Sequence, residues 1–186
     1  MKHQNNLTEI TGPTCSGKSY YLSSLKYKHV GYIYLPVGFL FLLTSPILFY
    51  WLFIRCLRAD RSLLLSFLVF LNVFAKVGFS LCHIRFFKFK SKNIIVDEGL
   101  SHIPFILMLN ESDIDYFIKS FLPFLSNTKI LMKFSSSNVI SKRLKSRGHK
   151  RVKSKSDHIR FVNEHVRVQN QYCSYLKSYG LKFEII

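Results

Sequence analysis

Gly12, four intervening residues and then Gly17-Lys18-Ser19 place the pattern G-x-x-x-x-G-K-[ST] without a gap in the run TGPTCSGKS. A loop that wraps a phosphate chain must turn several backbone N–H groups inward. Glycine at both ends permits the dihedral angles and the close approach this requires. The spacing therefore predicts a phosphate cradle formed by Gly12, Pro13, Thr14, Cys15, Ser16, Gly17, Lys18 and Ser19. Lys18 would reach the β- and γ-phosphates, and Ser19 would offer its hydroxyl to Mg²⁺. The residues that follow Ser19 would begin a helix whose N-terminus adds the positive end of its dipole.

A second group able to do chemistry stands in KNIIVDEGL, where an apolar β-branched run ends in Asp97-Glu98-Gly99. Such a run reads as a parallel strand buried on both faces with acids at its carboxyl edge. Ligands bind at that edge in open α/β sheets. Asp97 or Glu98 can there approach the Mg²⁺ held by Ser19, directly or through water. A third group lies at residues 141–160, the most basic stretch, where Arg143, Arg147 and Arg151 recur every fourth residue. In a helix they share a face, with Gly148 marking a bend. An Arg-rich mobile segment of this kind suits a lid that meets transferring charge as a site closes.

Positioning these groups requires strands before the loop and before the acids. NLTEI supplies the first, short and partly apolar, with Leu7 and Ile10 as buried positions; Tyr21, Leu22 and Leu25 follow the loop at helical spacing. NESDIDYFIKSFLPFL predicts a helix burying Ile114, Phe117, Ile118 and Phe121, with Asn110 or Ser112 as N-cap. A strand is expected over residues 129–134, ending in small polar residues. A long amphipathic helix follows, with Asp157 as N-cap and Gly180 as its stop, and LKFEII closes the chain as a strand. His158 and His165 are expected at surface or half-buried positions on that helix.

Residues 30–54 carry no charged side chain, and residues 62–81 form a second apolar stretch holding Asn72 and Lys76. The first is long enough for a membrane span, but Pro36 and Pro46 divide it into shorter pieces. A spanning hairpin would also place Arg55, Arg58 and Arg61 outside, against the positive-inside bias, and Lys76 within lipid. A pair of buried or membrane-surface helices fits better. Basic flanks at Lys26, Lys28, Arg85, Lys88 and Lys90 suit contact with an anionic inner leaflet, while a plain core and a partner-protein surface remain as readings.

The chain's 186 residues predict one domain. Lys and Arg number 27 against 10 Asp and Glu, a net +17 that favours polyanionic company. Nucleic acid is the weakest of these partners, since no helix-turn-helix or stacking-aromatic signature accompanies the charge. Cys15, Cys56, Cys82 and Cys173 lack zinc-ligand spacing and fit a reducing compartment. Lys18 and a helix N-terminus would lower the Cys15 thiol pKa, although the position is free in the loop pattern. The first residues lack the apolar core of a secretory signal, so a cytoplasmic start is expected.

In the order of its parts (phosphate loop, apolar helices, Asp97-Glu98-Gly99 strand, strand with a polar end, Arg-rich segment, long helix, final strand) the chain resembles the nucleoside and nucleotide kinase branch of the P-loop fold, of the thymidylate-kinase type. It also looks like P-loop kinase-like proteins found among surface-polysaccharide genes, in which GPSGSGKS and DEG flank an apolar helical stretch. The resemblance in letters covers the two short motifs. It implies ATP and Mg²⁺ at Gly12, Gly17, Lys18 and Ser19, Asp97 at the metal or the acceptor hydroxyl, and lid positions for Arg143, Arg147 and Arg151. Thymidylate kinases carry Asp-Arg where this chain has Asp97-Glu98, so a neutral acceptor such as a nucleoside or sugar hydroxyl stands level with a nucleotide. The expectation is thus an α/β three-layer P-loop domain with an apolar helical insertion at residues 30–90 and a basic lid at 141–156. It would transfer the γ-phosphoryl group of ATP to a small acceptor. The alternative is a non-enzymatic ATP-binding switch in an envelope or polysaccharide assembly complex.

Overall fold

The computed structural model describes residues 7–59, 62–83, 94–147, 152 and 154–186. Five strands form one sheet in the order β2-β3-β1-β4-β5, and every pairing is parallel. They are β1 Leu7–Thr11, β2 Lys28–His29, β3 Ile94–Asp97, β4 Thr128–Met132 and β5 Phe183–Ile185. The fold is α/β around a parallel sheet, as the alternation of apolar strands and helical patterns predicts. Among the described residues eight α-helices connect the strands: α1 Lys18–Leu22, α2 Leu35–Leu43, α3 Pro46–Ala59, α4 Leu63–Leu81, α5 Ile103–Leu107, α6 Glu111–Leu125, α7 Ser137–Arg147 and α8 Lys155–Ser178.

β1 is central, with β3 on one side and β4 on the other. Leu7 and Ile10 are both buried, on opposite faces, because an odd spacing in a strand points side chains to opposite sides. Leu7 meets Val96 and Phe79; Ile10 meets Leu131 and Leu22 of α1. The larger core lies on the face carrying Ile130 and Met132 and takes in side chains of α2 to α6 and α8. On α6 the four expected core residues are fully buried, and Asn110 Oδ1 caps the helix by accepting from Asp113 N at 2.9 Å. A smaller cluster of Ile140, Leu144, Phe161 and Val162 seals α7 against α8.

Several expectations need correction. The apolar insertion holds three helices rather than a pair. Pro36 sits in the first turn of α2 and Pro46 opens α3, positions where a missing N–H costs nothing. β3 is not buried on both faces: only Val96 is fully covered, since its outer neighbour β2 is two residues long. The N-cap of α8 is Ser154, whose Oγ accepts from Asp157 N at 3.1 Å, so Asp157 falls inside the first turn. His165 is buried, with Nδ1 2.9 Å from Phe161 O. Gly180 does stop α8: its φ is 62° and Leu181 N reaches back to Leu176 O at 2.9 Å, the bond of a Schellman turn.

α2 and α4 cross in close contact. A Cβ on Gly38 would run into Phe74 O, and one on Gly78 into Tyr34 O, so glycine lets the two backbones touch.

Candidate functional site

The carboxyl ends of β1 and β3 pair side by side, with Ile10 opposite Asp97, and both candidate motifs leave the sheet there. The chain turns at Gly12 with φ 139°, and a Cβ on this residue would lie 2.5 Å from Lys133 O, beyond the end of β4. Cys15 (φ 64°) and Gly17 (φ 96°) take left-handed backbone on either side of Ser16. Such reversals build concave runs of N–H groups. The expected helix follows, but it starts at Lys18, inside the loop pattern, and is only five residues long.

Lys18 is buried and folded back across the loop. Its Nζ donates to Gly12 O at 2.8 Å and Pro13 O at 3.0 Å, and stands 3.2 Å from Glu98 Oε1. The three ammonium donors thus have three acceptors. Glu98, with φ 56°, also lies 3.2 Å from His102 Nε2, and its carbonyl accepts from Lys76 Nζ. Burial pushes the Glu98 carboxyl up, but the surrounding His102, Lys18 and Lys76 outweigh it and hold the group down at about 2. The His102 ring is pulled far below its ordinary value by burial, against the attraction of Glu98. Burial likewise lowers the Lys76 ammonium, opposed by Glu98, Glu9 and Asp97.

Behind this layer Glu9, midway along β1, is fully buried and accepts from Ser101 N at 2.7 Å and Leu100 N at 3.1 Å, with Ser80 Oγ at 3.4 Å. Gly99 makes the arrangement possible, because a Cβ there would occupy the place of the Glu9 carboxylate. The acid of β1 therefore fixes the turn after β3.

Asp97 has one buried carboxylate oxygen, Oδ1, with no hydrogen-bond partner among the described residues, while Oδ2 is 3.7 Å from His29 Nδ1. Burial and then the Glu98 charge raise its pKa. Ser16 Oγ is also buried, with no partner among the described residues. Ser19 is exposed at the first turn of α1, and no hydrogen bond joins it to either carboxylate. The structure thus joins Lys18 with Glu98 and leaves Asp97 with an open oxygen beside them. An unpaired buried carboxylate oxygen is a position a cation would satisfy.

Arg143 Nη1 donates to Cys15 O at 3.4 Å, and its guanidinium fills the space a Cβ on Gly17 would take. Arg147, one turn on, is exposed, and Arg151 with Gly148 lies outside the described residues. The expected lowering of the Cys15 thiol does not result. Burial pushes it up by more than Arg147, Lys18 and Arg143 pull it down. From the end of β4, Ser135 Oγ donates to Ser16 O at 2.9 Å, and Gln169 of α8 clamps Ser135 through both its N–H (2.9 Å) and its carbonyl (3.2 Å).

Glu9, Lys76, His102, Ser135 and Gln169 are parts of this site that motif spacing does not mark. Lys76 left a trace as a charge in a mostly apolar helix, and Ser135 as one of the small polar residues after the strand at 129–134.

Comparison of the chain with family models, with curated proteins and with solved structures gives no match.

Proposed function

We propose that this chain is a phosphotransferase that binds Mg-ATP in the Gly12–Ser19 loop and passes the γ-phosphoryl group to a small acceptor, on a three-layer P-loop fold in which α7 and the basic segment after it act as a lid. The observation that carries this reading is the meeting of Lys18 with Glu98 where β1 and β3 pair, on the sheet edge where α/β folds bind ligands. When bound, Mg-ATP supplies the transferable group. The residues present fit it: a glycine-turned loop, a lysine folded against that loop, and a buried carboxylate oxygen with no partner among the described residues. Lys18 would exchange its carbonyl contacts for the phosphates and stabilise transferring charge. Ser19 and Asp97, with Glu98, would hold the metal, and Arg143, Arg147 and Arg151 would cover the loop from the α7 side. Asp97, raised by burial, is suited to accept the proton of an acceptor hydroxyl. Nucleosides, nucleotides and sugars are the acceptor classes.

Calorimetric titration of Mg-ATP into wild type and Lys18→Ala, followed by the three acceptor classes with ADP detection, tests the proposal. Binding by wild type, loss in the variant and ADP formation with one class are expected. Absence of ATP binding by wild type refutes it.

One observation favours the switch alternative. Lys18 bridges the loop to Glu98, and Glu98 is tied through its carbonyl to Lys76 on α4, so a phosphate that draws Lys18 off Glu98 would be felt in the apolar helices. ATP binding with no ADP formed from any acceptor would put this reading first.

A further inference from the structure

The helix that brings Lys76 into the site also carries an apolar surface away from it. Ser80 meets Glu9 midway along β1, and Lys76 meets Glu98 just past the end of β3. α4 therefore runs antiparallel to the sheet, and its earlier turns extend beyond the carboxyl edge. Leu63 precedes Lys76 by roughly 20 Å of helix at 1.5 Å per residue.

Residues 73–81 are all buried, whereas in the projecting half Leu64 is 69% and Phe67 56% exposed. On α3, Ile47, Tyr50 and Leu57 stand exposed at intervals that share a face, and α2 adds Leu40 and Leu43. Ring contacts run from Phe67 to Phe70, from Phe70 to Phe53 and Phe49, and from Phe49 to Phe39. The three helices thus present one continuous apolar surface, of a kind that soluble monomers rarely leave open.

Charge selects what covers it. Asp60 is the sole acid between Glu9 and Asp97, and Arg58 is exposed at the end of α3 beside Leu57. A second copy would set one strongly basic chain, of net charge +17, against another, whereas an anionic bilayer meets Arg58 with opposite sign. We infer that α2, α3 and the first half of α4 dock on an anionic lipid bilayer. The apolar side chains lie at the acyl boundary, Arg58 lies among the headgroups, and the sheet edge with Lys18 and Glu98 faces the membrane. Lys76 stays out of lipid because it is enclosed by protein against Glu98. This inference does not depend on the loop holding nucleotide.

Flotation of the full chain with vesicles of phosphatidylcholine alone, or mixed with phosphatidylserine, tests it. Wild type is expected to float with the mixed vesicles and to do so less as salt rises. Leu64→Glu/Phe67→Glu should bind them at least about tenfold more weakly. Ile159→Glu, on the exposed side of α8, should float as wild type does, with circular dichroism establishing that each variant is folded. Wild type left behind by both vesicle types, or a folded double variant that floats undiminished, overturns the inference. Equal flotation with both lipids overturns the charge argument and hence the choice of partner. A dimer dissolved by the double substitution, without vesicle binding, assigns the face to a second copy instead.

Discussion

Gly99→Ala should be far more costly than an exposed-loop glycine substitution, for a reason located ninety residues earlier. The new methyl would be placed on the Glu9 carboxylate, inside van der Waals contact with Cδ and Oε1 and 2.8 Å from Oε2. Gly99 has φ −71°, outside the left-handed region, so the cost is one of contact. Relief requires the carboxylate to move by about 1 Å, which breaks or stretches its bonds to Leu100 N and Ser101 N. Hydrogen bonds to a charged group are worth ~1.5–3 kcal/mol each, and Glu9 is fully buried, so a loss of ~2–5 kcal/mol is expected. Urea unfolding of wild type, Gly99→Ala, Glu9→Ala and the double variant measures the coupling. With Glu9 truncated, the Gly99→Ala step should fall to ~1 kcal/mol or less. Gly180→Ala, with φ 62° and nothing within 4 Å of its Cβ, serves as a strain-only control at ~1 kcal/mol. An equal cost for Gly99→Ala with and without Glu9 would refute the reasoning.

Gly78→Ala should separate α2 from α4, costing ~3 kcal/mol or more through backbone clash, seen as a lower urea midpoint. Because the folded Glu98 pKa is depressed to about 2 from an ordinary 4.5, its contribution is present above pH 4.5 and lost as pH falls through 2. Glu98→Gln should therefore flatten that part of the stability profile followed by circular dichroism. Ser135→Ala should cost ~1 kcal/mol of stability in urea and, if the loop holds nucleotide, weaken Mg-ATP in calorimetry by freeing Ser16 O. Gln169→Leu should cost ~2–4 kcal/mol in urea unfolding, since it strands both backbone groups of Ser135 in the interior.

The elements legible in the chain were those set by short-range physics. The periodicity of Ile114, Phe117, Ile118 and Phe121, the Asn110 cap, the prolines dividing the apolar stretch and the glycine spacing of the loop all act within a few residues, where sterics and hydrogen bonding leave little choice. That the Lys18 loop and Asp97-Glu98 belong to one sheet edge was also readable, because both follow strands of a parallel pattern.

Tertiary structure alone decided how the buried charges are shared. Glu9 reads as an ordinary strand residue and Lys76 as a cost within an apolar helix, until β1, α4 and the turn at Gly99 converge and each supplies what another lacks. A charge taken out of water needs partners, and here they come from segments that sequence spacing does not connect. Exposure on α2, α3 and α4 was settled in the same way. Their composition is mostly apolar on every side, and only packing against the sheet and α6 determines which side chains are covered and which form the open face.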